Sequence, residues 1–306
     1  MPRVSWEFVS AMMLPTPPYE EQTQIARFLD YETAKIDTLI EEQQRLIELL
    51  KEKRQAVISH AVTKGLDPSV PMKDSGVEGL GEVPAHWAIK RLQFVCADIK
   101  AGPFGSALTK DMYTETGYKV YGQEQVIPGD FRIGDYYIND DVYAGLNQYR
   151  VEPGDILISC VGTFGKIAIV PTRAEPGIIN PRLIRVRANK LVMAPYLCEI
   201  LRSNVVFEQF SFLSRGGTMD IINIGTLSSV VLAAPPIPEQ AEVLDFLSTQ
   251  IERFDGLIEQ AVKGVRFLQE RRSALISAAV TGKIDVRGWQ PPKTQPADNE
   301  AEAALG

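Results

Sequence analysis

Residues 17–67 and 235–285 are two ungapped copies of one segment, offset by about 218 positions. The first runs from Pro17-Pro18-Tyr19-Glu20-Glu21-Gln22 to Val62-Thr63-Lys64-Gly65-Leu66-Asp67. The second runs from Pro235-Pro236-Ile237-Pro238-Glu239-Gln240 to Val280-Thr281-Gly282-Lys283-Ile284-Asp285. Roughly 20 of about 50 positions are identical, among them Phe28/Phe246, Asp37/Asp255, Arg54/Arg272 and Thr63/Thr281. A segment repeated on either side of a different domain implies pseudo-symmetry, which usually faces a partner that is itself two-fold.

Both copies read as long amphipathic helices. Leu29, Glu32, Ile36, Leu39, Gln43, Leu46, Leu50, Lys53 and Val57 follow alternating steps of three and four, a coiled-coil-like seam. The second copy places Leu247, Phe254, Leu257, Ala261, Leu268 and Leu275 at the same steps. The leading Pro-Pro pairs suit a helix start. Gly256 and Gly264 each cost the second helix about 1 kcal/mol relative to alanine, so close approach of another backbone is expected there. The helices are expected to form a spacer and a partner-docking surface.

Between the copies the pattern changes. Short β-prone runs (118–121, 156–160, 167–170, 183–186) alternate with Pro-Gly turns, and one amphipathic helix is expected over 195–212. The expected fold class is α+β: one loop-rich mixed α/β domain flanked by two long helices. Formal net charge is −7, which at first argues against nucleic acid. Yet residues 84–234 hold 15 Lys/Arg against 14 Asp/Glu, so the acidity lies in the repeats and the tail. DNA remains a fitting partner if another subunit supplies much of the phosphate contact. Cys96, Cys160 and Cys198, with only His60 and His86 beside them, offer neither zinc spacing nor a disulfide framework. No apolar run reaches a membrane span and no secretion signal is visible, so the expected location is cytoplasmic, with no membrane partner.

Several motifs of the middle segment, taken in order, carry a family resemblance. They are Pro84, His86 and Trp87 followed by Arg91-Leu92; Gly102-Pro103-Phe104-Gly105-Ser106; and 153–159 with Gly162-Thr163-Phe164-Gly165-Lys166. Asn180-Pro181-Arg182-Leu183 follows, and then the exit Gly216-Gly217-Thr218 leading to the second Pro-Pro start. The chain resembles the specificity subunit of a type I restriction-modification system over about residues 14–290. That resemblance implies a loop-rich mixed α/β target recognition domain reading one part of a bipartite DNA site, flanked by two long helices forming an antiparallel coiled coil that separates two such domains and docks methyltransferase subunits. Full-length members carry two recognition domains, whereas this chain has one, so it resembles a half-size or truncated form. The expected organisation is 1–16, remnant of a preceding recognition domain; 17–67, first long helix; 68–83, linker; 84–234, target recognition domain; 235–285, second long helix; and 286–306, disordered acidic tail.

Apparent catalytic motifs fail on inspection. Thr16-Pro17-Pro18-Tyr19 resembles a methyltransferase Pro-Pro-aromatic loop but lacks a Gly-rich cofactor strand upstream. Gly162–Lys166 is too short for a phosphate-binding loop. Asp155 and Lys166 resemble a nuclease order, but the metal-ligand position is Phe164. No catalytic residue, metal ligand or cofactor is therefore expected. His86, beside Trp87, suits packing and capping better than phosphate contact.

Base readout calls for Arg, Asn or Gln on loops, and Gln123, Gln125 and Arg132 are candidates, with Asn147, Gln148 and Arg150 behind them. Phosphate positioning suits Ser106, Lys110, Thr163, Lys166, Arg182, Arg215 and Thr218, several beside glycines. The leading expectation is a non-catalytic DNA-reading subunit. Its partners are double-stranded DNA, methyltransferase subunits, the restriction subunit through the complex, and a second copy of itself. The alternative is a fragment or recombination cassette that binds methyltransferase without supporting modification.

Overall fold

The structure, a computed structural model, describes residues 5–13, 16–160, 166–213 and 222–292. It divides into two compact units: one of residues 1–51 with 255–306, the other of residues 52–254.

The larger unit is mixed α/β. Its four-stranded antiparallel sheet has the order Ile167–Ile169, Ile156–Ser159, Leu183–Ala188, Cys96–Ala101. Strand periodicity sends alternate residues to opposite faces. Ile156, Ile158, Ile184 and Val186 enter the main core, while Leu157, Leu183 and Ala168 enter a second one. This explains why 156–158 and 167–169 are apolar without alternation: both faces are buried. On the second face Arg187 donates twice to Asp155 (2.7 and 2.9 Å), and Arg185 pairs with Asp98. Asp155 is buried and also accepts from the backbone N–H of Glu152 (2.8 Å), which fixes it as a structural anion.

A five-stranded sheet has the order Tyr113–Thr114, Tyr137–Ile138, Tyr118–Tyr121, Gly177–Ile179, Arg150–Val151. Only the 118–121 and 177–179 strands run parallel. The stretch expected to be a plain linker contains an antiparallel pair, Met72–Asp74 with Glu82–Pro84. The single helix expected over 195–212 is two, Ala194–Arg202 and Asn204–Leu213. Ser203 between them is extended, and its hydroxyl donates back to Ile200 O (2.6 Å), a local bond that competes with helix continuation.

The long helices span Tyr19–Lys64 and Ile237–Val280. In the larger unit Ile58, Ala61 and Val62 share the main core with Val243 and Leu247. In the smaller unit Phe28 packs with Ala279 and Val286, and Arg272 clamps Asp37 through two bonds (2.8 and 3.2 Å). The expected seam is buried at Ile36, Leu247, Phe254 and Ala261 and half-buried at Leu29, Leu50, Val57, Leu268 and Leu275. Ile25, Ile36, Ile47 and Ile58, with counterparts Val243, Phe254, Val265 and Ile276, are buried or half-buried at steps of about eleven. Leu39, Leu46 and Leu257, expected in the seam, are exposed. An eleven-residue spacing stays close to the 3.6-residue turn, so a nearly straight helix keeps it on one face. Gly256 meets nothing within 4 Å and Gly264 only the Gln43 side chain at 3.8 Å, so neither admits another backbone. No helix among the described residues is long and apolar enough to cross a membrane.

Candidate nucleic-acid interface

Three segments of the larger unit converge on Asn180 because two glycines let them. A Cβ on Gly102 would lie 1.9 Å from the Asn180 carbonyl oxygen, and one on Gly122 would lie 2.6 Å from Asn180 Nδ2. Asn180 donates its backbone N–H to Tyr121 O (2.9 Å), and its Oδ1 accepts from the Arg182 N–H (2.9 Å). The loop after Gly102, the helix start after Gly122 and the turn 180–182 thereby enclose a cleft of about 670 Å³.

Lys110, Gln123 and Arg182 are brought together in this cleft. Arg182 Nη1 donates to Gln123 Oε1 (3.4 Å), and Gln123 Nε2 donates to Ser159 Oγ (2.7 Å). Tyr113 and Tyr136 also line the cleft, their rings tilted and 5.3 Å apart. Tyr136 is largely exposed, a planar surface beside cationic and amide groups. Glu124 is the one acidic lining residue among those described. The two tyrosines and Glu124 were missed by sequence reasoning. The Gly134-Asp135-Tyr136-Tyr137 turn was a signal that could have found the aromatic pair.

The other candidates lie elsewhere. Ser106 is exposed on the short 3₁₀ turn Gly105–Ala107, outside the cleft lining. Gln125 is a correction: it is fully buried, and its Oε1 accepts from the Gly122 N–H (2.7 Å) while Nε2 donates to Ile133 O (2.9 Å). It caps its own short helix and presents nothing to a groove. Arg132 is exposed, but its guanidinium grips Asp130 at 2.9 Å and holds that carboxyl down at about 2. It lines a separate cleft with Arg173 and Glu175. Gln148 accepts from Lys100 (3.1 Å), and Arg150 lies over the Tyr143 ring at 4.2 Å. Lys166 is exposed, and its carbonyl accepts from Ser159 N–H (3.0 Å). Thr163, Arg215 and Thr218 lie outside the described residues.

His86 is exposed and pairs with a carboxylate: its Nε2 meets Glu239 Oε2 at 2.8 Å, while Trp87 Nε1 donates to Oε1 of the same carboxylate at 2.9 Å. Burial pushes the Cys96 and Cys198 thiols up to about 12, which keeps them protonated at neutral pH and poorly nucleophilic. Among the described residues no group of three His, Cys, Asp or Glu could hold a metal ion.

Known proteins place this architecture. The family model described as type I restriction modification DNA specificity domain matches residues 87–263. The chain is 25% identical over 293 residues to the type I restriction enzyme MjaVIII specificity subunit of Methanocaldococcus jannaschii, covering 94% of this chain and 65% of that protein. It is 22% identical to the EcoKI specificity subunit of Escherichia coli strain K12, covering 95% of this chain and 62% of that protein. The chain thus spans somewhat less than two thirds of the length of these relatives. Among solved structures, a chain from a study of complex assembly and conformational transition of the type I R-M system matches with a TM-score of 0.69, 18% identity, and coverage of 92% of this chain and 65% of that one. The HsdS subunit from Thermoanaerobacter tengcongensis matches with a TM-score of 0.53 and 19% identity over 92% of this chain and 64% of that one. With more than half of its residues inside the matched region, the chain belongs to the family of type I restriction modification DNA specificity domains.

Proposed function

We propose that this chain reads one half of a bipartite duplex DNA site for a type I restriction-modification complex, leaving modification and cleavage to methyltransferase and restriction subunits. The observation that carries this reading is the cleft in which Lys110, Gln123 and Arg182 stand beside two tyrosines, inside the region matched by the DNA specificity family. Cations for phosphate and planar hydrogen-bonding groups for base edges are what such recognition requires. Ser106 and Lys166, both exposed, would contact the backbone nearby.

The long helices act as an antiparallel coiled-coil spacer that docks methyltransferase subunits. Support comes from the repeat itself: Leu39 and Leu257 are exposed at equivalent positions, and so are Leu49 and Phe267. Two copies of one apolar surface suit two copies of one partner. Residues 84–234 form the recognition domain, and 1–16 the tail of a preceding one. For the latter, Ser5 accepts from Phe8 N–H (3.3 Å) as Asn223 accepts from Thr226 N–H (2.8 Å), with the same offset at both ends. Exposed Val9 and Met12 are the counterparts of buried Leu227 and Val230, which lie against a recognition domain.

Co-expression with the cognate methyltransferase, followed by mapping of methylated positions, tests the function. An interrupted motif is expected, palindromic if two copies of this chain supply both halves. A non-palindromic motif with this as the sole specificity chain overturns the paired-copy arrangement. Co-purification with methyltransferase but no methylation anywhere favours the fragment reading instead.

A further inference from the structure

Glu124 is out of place in a cleft whose other charged lining residues, among those described, are Lys110 and Arg182. A carboxylate repels phosphate, so a cleft built only to hold the DNA backbone would not carry one there. Its position is nevertheless fixed. Gly134, at φ +87°, makes room: a Cβ there would lie 2.4 Å from Glu124 Oε1 and 2.2 Å from Gln125 Nε2. Buried Gln125, anchored on both sides by backbone, donates Nε2–H to Glu124 Oε1 at 2.9 Å. The second oxygen, Oε2, makes no hydrogen bond among the described residues.

We propose that Glu124 and Arg182 together read one C·G base pair in the major groove, Glu124 accepting from the cytosine N4 amino group and Arg182 donating to guanine. This rests on the DNA-reading function proposed above. Only cytosine N4 and adenine N6 offer amino donors at that edge. Adenine carries the N7 lone pair beside N6, which repels a carboxylate, whereas cytosine carries a C–H beside N4. Arg182 supplies the fork that matches guanine O6 and N7. Gln123, held by Ser159 and accepting from Arg182 Nη1, is the positioning residue that aims the fork.

The test is selection from a random duplex library by the full chain co-purified with its methyltransferase subunits, using wild type, Glu124→Ala, Glu124→Gln and Arg182→Ala. The wild-type motif should contain a C·G pair that Glu124→Ala and Arg182→Ala both relax, by about tenfold or more, without altering the other positions. Glu124→Gln makes a sharper prediction. Its amide oxygen should stay on Gln125, so an NH₂ donor faces the groove and preference should move to a base offering an acceptor, thymine O4 or guanine O6. Unchanged thermal unfolding of the Gln variant separates this from misfolding. A wild-type motif that both Glu124 variants reproduce at full strength overturns the C·G reading while the DNA-reading function stands. Absence of any selected motif with wild type overturns both.

Discussion

Glu239 spends both carboxylate oxygens on two adjacent side chains, Trp87 on Oε1 and His86 on Oε2. Trp87 is buried, so its indole N–H has no water to replace the carboxylate. Glu239→Ala should therefore destabilise the larger unit by about 1–3 kcal/mol, the cost of a buried donor left unmade. Glu239→Gln keeps an acceptor for Trp87 and should cost less. Urea unfolding at constant slope measures both, and an alanine variant as stable as wild type would mean that the indole finds another acceptor. The sequence displayed Glu21 and Glu239 as an identical pair but not this role, because the partners of Glu239 lie 153 and 152 residues away. Gln123 and Gln125 show the same limit at short range. Both are amides in one short helix, and only the direction each faces separates a cleft residue from a buried cap.

Glycines carry different meanings in different elements, and two substitutions separate them. Gly256 sits inside a long helix, and a methyl group added there would meet nothing within 4 Å, so Gly256→Ala should stabilise the chain by up to about 1 kcal/mol. Gly102 is the opposite case, since its Cβ would collide with the Asn180 backbone at 1.9 Å. Gly102→Ala should cost about 1–3 kcal/mol through overpacking and should weaken DNA binding by displacing the 180–182 turn. Paired thermal unfolding and duplex-binding measurements decide this, and equal melting temperatures for the two variants would refute it. At this scale much was legible: long helices from apolar periodicity, and core strands from short apolar runs between Pro-Gly turns. The break at Ser203 was not, because a serine hydroxyl bonding back to Ile200 O leaves no mark on the hydrophobic pattern. The pairing of Met72–Asp74 with Glu82–Pro84 was equally hidden, each strand being too short to show alternation. The helix seam was legible in part: Ile36, Leu247, Phe254 and Ala261 are buried as expected, while Leu39, Leu46 and Leu257 are exposed because the buried isoleucines recur at about eleven residues rather than seven.

Across the whole molecule the charge balance limits what the chain can do alone. Net charge is −7, and among the described residues the cleft lining offers Lys110 and Arg182 as cations, with Lys166 exposed beyond it. Arg132 is already held by Asp130. A protein that neutralises Z phosphates shows a log–log salt slope of about −0.9Z, so contacts by Lys110 and Lys166, with Arg182 at most a third, give a slope between about −2 and −3. Binding by the isolated chain should therefore be weak and only shallowly salt-dependent, and should steepen when methyltransferase subunits are added. Titration of a duplex carrying the mapped site at several salt concentrations, with and without those subunits, measures the difference. A slope near about −8 for the chain alone would place many phosphate contacts on this chain and overturn the division of labour. Discrimination between sites and total affinity are then separate quantities. The first should follow Glu124 and Arg182, and the second should follow the subunits assembled on the helices.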